Sequence, residues 1–519
     1  MAQVPLNPAF NSIQVISALN HLEAAHLIIG METNLPYKPS RDNISLFKEL
    51  VPDFAASKLH SESVASLQNI ILVNNSSPPQ SGGSIRASTD FADILLPNST
   101  KSVDPDSPLH MDDTINIQFT SGTTSSPKAA CLTHHSILNN GHSIGARMAL
   151  TPEDIICCPP PLFHCFGSIL GYMASATHGS CILFPSEAFS PLSVLQSIQE
   201  EGATALYGVA TMFIAELELL ANGTVEPTGF ERLRTGIAAG SSVPSHLMEK
   251  LHNVLNLRGL TICYGMTETS PVSCMTTPDD PLQKRVDSVG RLLPRVEAKI
   301  VDVHDSGKIV PIGEKGELVV SGYNVMKGYW NDHARTDEVR TVEPILENEE
   351  QVGEKVWMFT GDEAEMDGDG YVKITGRIKD LIIRGGENIH PLEVENCLFR
   401  HTSVGEVSVV GLPDEKYGEC VAAFIVVRQG REAGPDDSGV SVQRDGRSHV
   451  QLRTQTKGEV DEALTKESVR DWVRGELSGH LVPKYVFWVK DYPKTASGKI
   501  QKFKLKEMGI KLLEDAKTI

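Results

Sequence analysis

Between residues 103 and 260, short β-branched or aromatic runs alternate with longer amphipathic stretches, and this alternation narrows the choice of fold more than any other feature of the chain. Residues 115–119, 181–184 and 205–208 read as strands, with 190–201 and 211–220 as helices among them. Alternation of this kind builds βαβ units, so an α/β architecture around a largely parallel sheet is expected. From residue 288 the texture changes. Short strands such as 297–303 and 316–321 are separated by Gly and Pro, which predicts a smaller β-rich, barrel-like unit at about 288–379. The charged run 347–355 is expected to be a solvated loop.

After Asp380 comes Ile382-Ile-Arg-Gly-Gly-Glu-Asn-Ile-His-Pro391, then a helical stretch at 393–400 and strands at 407–410 and 422–427. A second, compact α+β unit at 380–519 follows from this, leaving 1–379 as the larger one. Within the second unit, residues 428–457 are rich in Asp, Gly, Ser, Gln and Arg without hydrophobic period, so a disordered insertion is expected there.

Composition excludes several classes of function. At roughly 150 residues per domain, 519 residues make about three globular units. Lys and Arg total 47 against 66 Asp and Glu, a formal charge of −19, which argues against binding nucleic acid over a broad surface and leaves only local basic pockets for small phosphates. No run approaches the ~18 apolar residues of a membrane span, and the first eight residues lack a signal-peptide pattern, so a soluble intracellular chain is expected. The nine cysteines form no C-x-x-C pair and there is no H-E-x-x-H, which removes the usual zinc ligand sets and predicts that most cysteines are small core hydrophobes.

The sharpest local signal is Ile117-Gln-Phe-Thr-Ser-Gly-Thr-Thr-Ser-Ser-Pro-Lys128, an apolar strand running into a loop of hydroxyl residues that ends in a lysine. Backbone N–H groups, hydroxyl donors and one ammonium suit a polyphosphate. The Walker A pattern does not fit, because Lys128 follows Pro127 and precedes Ala129 rather than Ser or Thr.

Downstream, in order, stand Tyr264-Gly-Met-Thr-Glu-Thr269, Phe359-Thr-Gly-Asp362, the run from Gly376 to Glu395, and Pro493-Lys-Thr-Ala-Ser-Gly-Lys499. This ordered set resembles the ANL superfamily of adenylate-forming enzymes, from residue 4 to about 508. Cys157-Cys-Pro-Pro-Pro-Leu-Phe-His-Cys-Phe-Gly167 and the C-terminal motif are most similar to fungal medium-chain fatty acyl-CoA ligases. The resemblance implies a large adenylation domain followed by a small mobile lid, with Asp380 as hinge. It also implies activation of a medium-chain or modified aliphatic acid by Mg-ATP, then transfer to CoA, with fungal secondary metabolism as one setting.

By the same resemblance, Thr120, Ser121, Gly122, Thr123, Thr124, Ser125, Ser126, Pro127 and Lys128 hold the β and γ phosphates, Thr267 the α-phosphate, and Glu268 magnesium. Tyr264 helps bind the nucleotide, Asp362 accepts from both ribose hydroxyls, and Arg377 sits against the ribose or phosphate side. Lys499 bridges the substrate carboxylate and the α-phosphate. His164 gates the passage between acyl pocket and thiol, and Gly385 and Gly386 line the path of the pantetheine arm. Acyl specificity is expected to be shaped by 163–167, 207–213, 238–242 and 264–271.

Three departures stand out: Ser125 and Ala129 where glycines are usual, Ala210 where proline is usual, and a start that family members reach only after further βα elements. Two alternatives therefore stay open: a ligase delivering to a carrier-protein thiol, and a truncated, catalytically impaired nucleotide-binding protein. The expected location is cytoplasmic, with peroxisomal as the alternative; sequence gives no oligomeric state.

Overall fold

The structure is a computed structural model that describes residues 2–35, 39–76, 85–95, 108–120, 128–239, 245–347, 350–428, 430–439, 463–495 and 499–518. Among the described residues a seven-stranded sheet runs in the order Arg291–Leu292, Val272–Met275, Gly259–Gly265, Thr235–Ala238, Ala205–Gly208, Ile155–Cys157, Cys181–Leu183. The five strands from Gly259–Gly265 onward pair in parallel, and the first two are antiparallel. Helices cover both faces, so the central strands 205–208 and 235–238 are buried at every position and carry no polar alternation. Helices Pro191–Glu201, Ala210–Ala221 and Ser245–Leu255 cover one face through Leu195, Phe213 and Leu251. His134–Arg147 and the π-helical Phe166–Met173 cover the other through Ile144, Met148 and Leu170. Truncating a fully buried ring such as Phe213 to alanine would cost about 3–5 kcal/mol. Helix starts follow local chemistry. Ser190 accepts from the Ser193 N–H ahead of Pro191, and Thr133 and Ser136 form a reciprocal cap, each such cap contributing about 1 kcal/mol.

The segment after residue 103 departs from the βαβ expectation. Strands Thr114–Phe119 and Ala129–Thr133 form an antiparallel hairpin, with Gly328–Tyr329 paired on the outer side of the second. Nine residues from 120 to 128 are too few for the crossover that parallel strands need, which agrees with the antiparallel pairing of these two strands. The Thr120 N–H donates to the Lys128 carbonyl at 2.7 Å and closes its base.

The β-rich unit takes form as an antiparallel sheet of Val296–Val301, Gly316–Gly322, Glu350–Met366 and Arg340–Glu347, with Val372–Arg377 also on Glu350–Met366. Here the expected solvated loop at 347–355 is corrected, since all of it but 348–349, which lie outside the described residues, belongs to two long paired strands. The charges are answered from strand Val296–Val301, which is paired with neither of these two: Lys355 lies 2.6 Å from Glu297 and Lys299 lies 2.8 Å from Glu343. A charge run read alone does not reveal such cross-strand partners.

Glu387–Ile389, Ile382–Arg384, Gly418–Val427 and Val404–Asp414 form a further sheet, with Tyr485–Trp488 parallel to Gly418–Val427. Helices Pro391–Phe399 and Lys466–Glu476 pack on it through Val394, Leu398, Val469 and Val473. The expected disorder at 428–457 is corrected in part. Asp436 accepts from the Trp488 N–H at 2.7 Å and Asp437 is paired with Arg470 and Lys466, so residues 430–439 are docked on the sheet edge. Residues 429 and 440–457 lie outside the described residues. Near the start, His26–Gly30, Asn69–Val73 and Thr89–Asp90 form a small parallel sheet, and Glu32–Thr33 pairs antiparallel with Arg41–Asp42. Among the described residues no helix is long and apolar enough to cross a membrane. Of the nine cysteines, all described, only Cys181 is exposed.

Candidate active site

Tyr264 ends the edge of the parallel sheet and turns the chain into the short 3-10 helix Thr267–Thr269. Its neighbour Gly265 is required by contact: a Cβ built there would lie 1.8 Å from the Pro271 carbonyl oxygen. The Tyr264 hydroxyl donates to Asp362 Oδ2 at 2.6 Å, and Arg377 Nε lies 3.3 Å from Asp362 Oδ1. Asp362 and Arg377 face each other as Cα partners across strands Glu350–Met366 and Val372–Arg377, so the turn between those strands fixes the pair's register. Burial pushes the Asp362 carboxyl above its usual value, while Arg377, Tyr264 and Lys499 oppose the shift and Asp380 adds to it.

Glu268, 6% exposed, accepts from the Tyr329 hydroxyl at 2.7 Å through Oε1. The Lys128 ammonium stands 4.9 Å from the centre of the Tyr329 ring. Thr267 Oγ1 and His164 Nδ1 each lie 3.8 Å from the Cys165 sulfur. His164 Nδ1 also accepts from the Phe166 N–H at 3.1 Å, which identifies Nε2 as the protonated nitrogen of the neutral ring. Burial first, and then the Lys499 ammonium, push the His164 imidazole down to about 3. It is neutral throughout the physiological range.

Lys499 arrives from the C-terminal unit. Its N–H donates to Thr495 Oγ1 at 3.1 Å and its carbonyl accepts from the Thr495 N–H at 2.7 Å, which ties Lys499 to Thr495. Residues 496–498 lie outside the described residues. The ammonium is held below the usual lysine value by burial and by Arg377, with Cys165, Asp362 and Glu268 acting in the opposite sense. Charged groups from three sheets and from a motif near the C-terminus thus share one neighbourhood. Three cations, Lys128, Arg377 and Lys499, and the two carboxylates Asp362 and Glu268 in a site of low polarity favour a ligand that carries both hydroxyl donors and phosphate.

Of the residues singled out in the sequence, Thr120, Lys128, His164, Tyr264, Thr267, Glu268, Asp362, Arg377, Asp380 and Lys499 lie in or beside this neighbourhood, whereas Ser121, Gly122, Thr123, Thr124, Ser125, Ser126 and Pro127 lie outside the described residues. Gly385 and Gly386 lie elsewhere. They form the exposed turn of the hairpin Ile382–Arg384 and Glu387–Ile389 with φ of 62° and 89°, and the Gly385 N–H donates to the Tyr417 carbonyl. Among the expected specificity segments, Phe166, Tyr207, Val209, Met212 and Ala239 share one buried cluster, and 240–242 lie outside the described residues. Sequence reading placed Cys165 only within the specificity segment 163–167, and it missed Tyr329. Tyr329 stands in Gly328-Tyr-Trp, far from every motif, and nothing local marks it as a partner of Glu268.

Magnesium is a hard ion that takes one or two carboxylates and otherwise phosphate oxygens and water. Glu268 suits it: the carboxylate is buried, Oε1 is fixed by a phenol, and no cation is paired with it among the described residues.

Comparison with known proteins gives the same outline. The family described as "AMP-binding enzyme" matches residues 1–330, and "AMP-binding enzyme C-terminal domain" matches 393–499. The chain is 43% identical over 419 residues to acyl-CoA ligase sidI of Aspergillus fumigatus, covering 79% of this chain and 64% of that protein, so it spans just under two thirds of that relative's length. It is 34% identical over 513 residues to the zebrafish (Danio rerio) mitochondrial medium-chain acyl-CoA ligase ACSF2, covering 97% of this chain and 75% of that one. Among solved structures, the anthranilate CoA ligase AuaEII in complex with anthranoyl-AMP superposes with a TM-score of 0.75 at 24% identity, over 98% of this chain and 82% of that one. ATP-bound MatB from Rhodopseudomonas palustris superposes with a TM-score of 0.72 at 23% identity, over 99% and 84%. These two likenesses concern the fold.

Proposed function

The chain belongs to the AMP-binding enzyme family, and from that premise we propose that it is an AMP-forming acyl-CoA ligase acting on a medium-chain or modified aliphatic acid. The observation that carries this reading is the placement of the Lys499 ammonium within electrostatic reach of Asp362, Arg377, Glu268 and His164. Similarity to fungal and vertebrate acyl-CoA ligases supports the acid class and the thiol acceptor, and is compatible with a role in specialised metabolism.

In the first step a carboxylate oxygen attacks the α-phosphorus of ATP, the bond to the bridging oxygen breaks, and pyrophosphate leaves. Lys499 holds the two anions together and offsets their charge as it concentrates in the transition state. Asp362 accepts from the ribose hydroxyls, positioned by Tyr264 and Arg377. Thr267 contacts the α-phosphate, and Thr120 and Lys128 bracket the loop that holds the leaving phosphates. Glu268 would hold magnesium, which when bound supplies charge neutralisation to the phosphates.

In the second step the CoA thiol, losing its proton, attacks the acyl carbonyl, and AMP leaves with the oxygen first contributed by the acid. Neutral His164 acts as a shaped wall that can donate one hydrogen bond through its Nε2–H rather than as a charge. Lys499 must withdraw for the thiol to enter, so the unit from Asp380 onward turns and brings Gly385 and Gly386 toward the site.

A carboxylate labelled with oxygen-18 tests the reading. AMP formed in the presence of CoA is expected to carry one labelled oxygen; label in orthophosphate, or none in AMP, would contradict the adenylate route.

A further inference from the structure

Tyr329 touches both ends of the proposed phosphate and magnesium machinery without belonging to either. Its strand, Gly328–Tyr329, lies against Ala129–Thr133, which begins where the phosphate loop ends, with Tyr329 opposite Ala130. The Trp330 N–H donates to the Ala129 carbonyl at 2.7 Å and the Met326 N–H to the Glu268 carbonyl at 2.8 Å, so the backbone on either side of Tyr329 is tied to both neighbours. The ring is buried, its hydroxyl donates to Glu268 Oε1 at 2.7 Å, and its face carries the Lys128 ammonium at 4.9 Å. No ion pair joins Lys128 to Glu268 among the described residues.

We propose that Tyr329 is a positioning residue that keeps the Lys128 ammonium and the Glu268 carboxylate apart and aimed, the first at phosphate and the second at magnesium. A lysine and a glutamate this near would otherwise pair, and each would lose the charge its ligand needs. An aromatic ring between them satisfies the cation through its face and the anion through its hydroxyl. The phenol fixes one carboxylate oxygen and so orients the other, as outer partners of metal ligands do. The inference rests on the ligase reading and adds to it a residue outside the motifs.

The test compares ATP binding by calorimetry, with saturating magnesium and with EDTA, for wild type, Tyr329→Phe and Tyr329→Leu. Tyr329→Phe keeps the ring over which Lys128 sits and removes only the hydroxyl. It is expected to bind metal-free ATP as wild type does while losing about tenfold or more of the enhancement that magnesium gives. Tyr329→Leu, which removes the ring as well, is expected to weaken metal-free ATP binding too, because Lys128 is released to pair with Glu268. Circular dichroism reports on folding of both. If wild type shows the magnesium enhancement and Tyr329→Phe matches it, the inference is overturned and the ligase reading stands. Folded wild type that binds ATP in neither condition would overturn both.

Discussion

Glu216 lies on helix Ala210–Ala221 between Phe213 and Leu220, fully buried, with neither carboxylate oxygen hydrogen-bonded among the described residues. Desolvation holds its carboxyl well above the usual value, so the folded protein keeps it protonated where the unfolded chain ionises. The folded state then binds more protons than the unfolded one, and stability declines as pH rises above the ordinary carboxylate range. Replacing Glu216 with leucine is expected to stabilise the protein by about 1–3 kcal/mol near neutral pH and to flatten that decline, as read by thermal melts at pH 5 and 8. A variant with an unchanged or lower Tm at pH 8 would contradict it. At Tyr264 the expectation is functional. Tyr264→Phe removes a hydrogen bond to the Asp362 carboxyl, worth about 1.5–3 kcal/mol if to an ionised group, and is expected to raise KM for ATP more than it lowers kcat, since the ribose contact proposed for Asp362 is the same in ground state and transition state.

Elements show where a sequence speaks plainly and where it does not. The parallel strand 205–208 is legible because burial on two faces removes polar residues from it, and helix 191–201 because Ser190 and Pro191 mark its start. The strands 340–347 and 350–366 are not, since their charges are answered by Lys299 and Glu297 on strands distant in sequence. At the site, ordered motifs mark Tyr264, Asp362 and Lys499. The motifs do not mark Tyr329, whose importance exists only once Gly328–Tyr329 is laid beside Ala129–Thr133. His390 does lie within the motif run Gly376 to Glu395, but its partner exists only in the fold: it precedes helix Pro391–Phe399 and places Nε2 3.1 Å from Glu363, the residue after Asp362. Thr375 donates to the same Glu363 oxygen. This contact ties the C-terminal unit to the strand that carries Asp362. His390→Ala is therefore expected to slow acid-dependent pyrophosphate release several-fold while sparing thioester formation from a supplied acyl-adenylate. Equal loss in both steps would contradict that assignment.

At the scale of the whole molecule, the site is assembled from pieces that no single core holds. The parallel sheet supplies Tyr264, Thr267 and Glu268, the antiparallel sheet Asp362 and Arg377, and the C-terminal unit Lys499. Such an arrangement would let one unit leave without dismantling the others, as the proposed two-step reaction with its two different attacking groups requires. The most direct measurement is pyrophosphate release by purified protein with Mg-ATP and a series of aliphatic acids, with and without CoA, for wild type and Lys499→Ala. The account predicts acid-dependent release that falls by about 100-fold or more in Lys499→Ala, with thioester formed only when CoA is present. Release that Lys499→Ala leaves unchanged, or a folded wild type that binds ATP yet releases no pyrophosphate with any acid of the series, would contradict it.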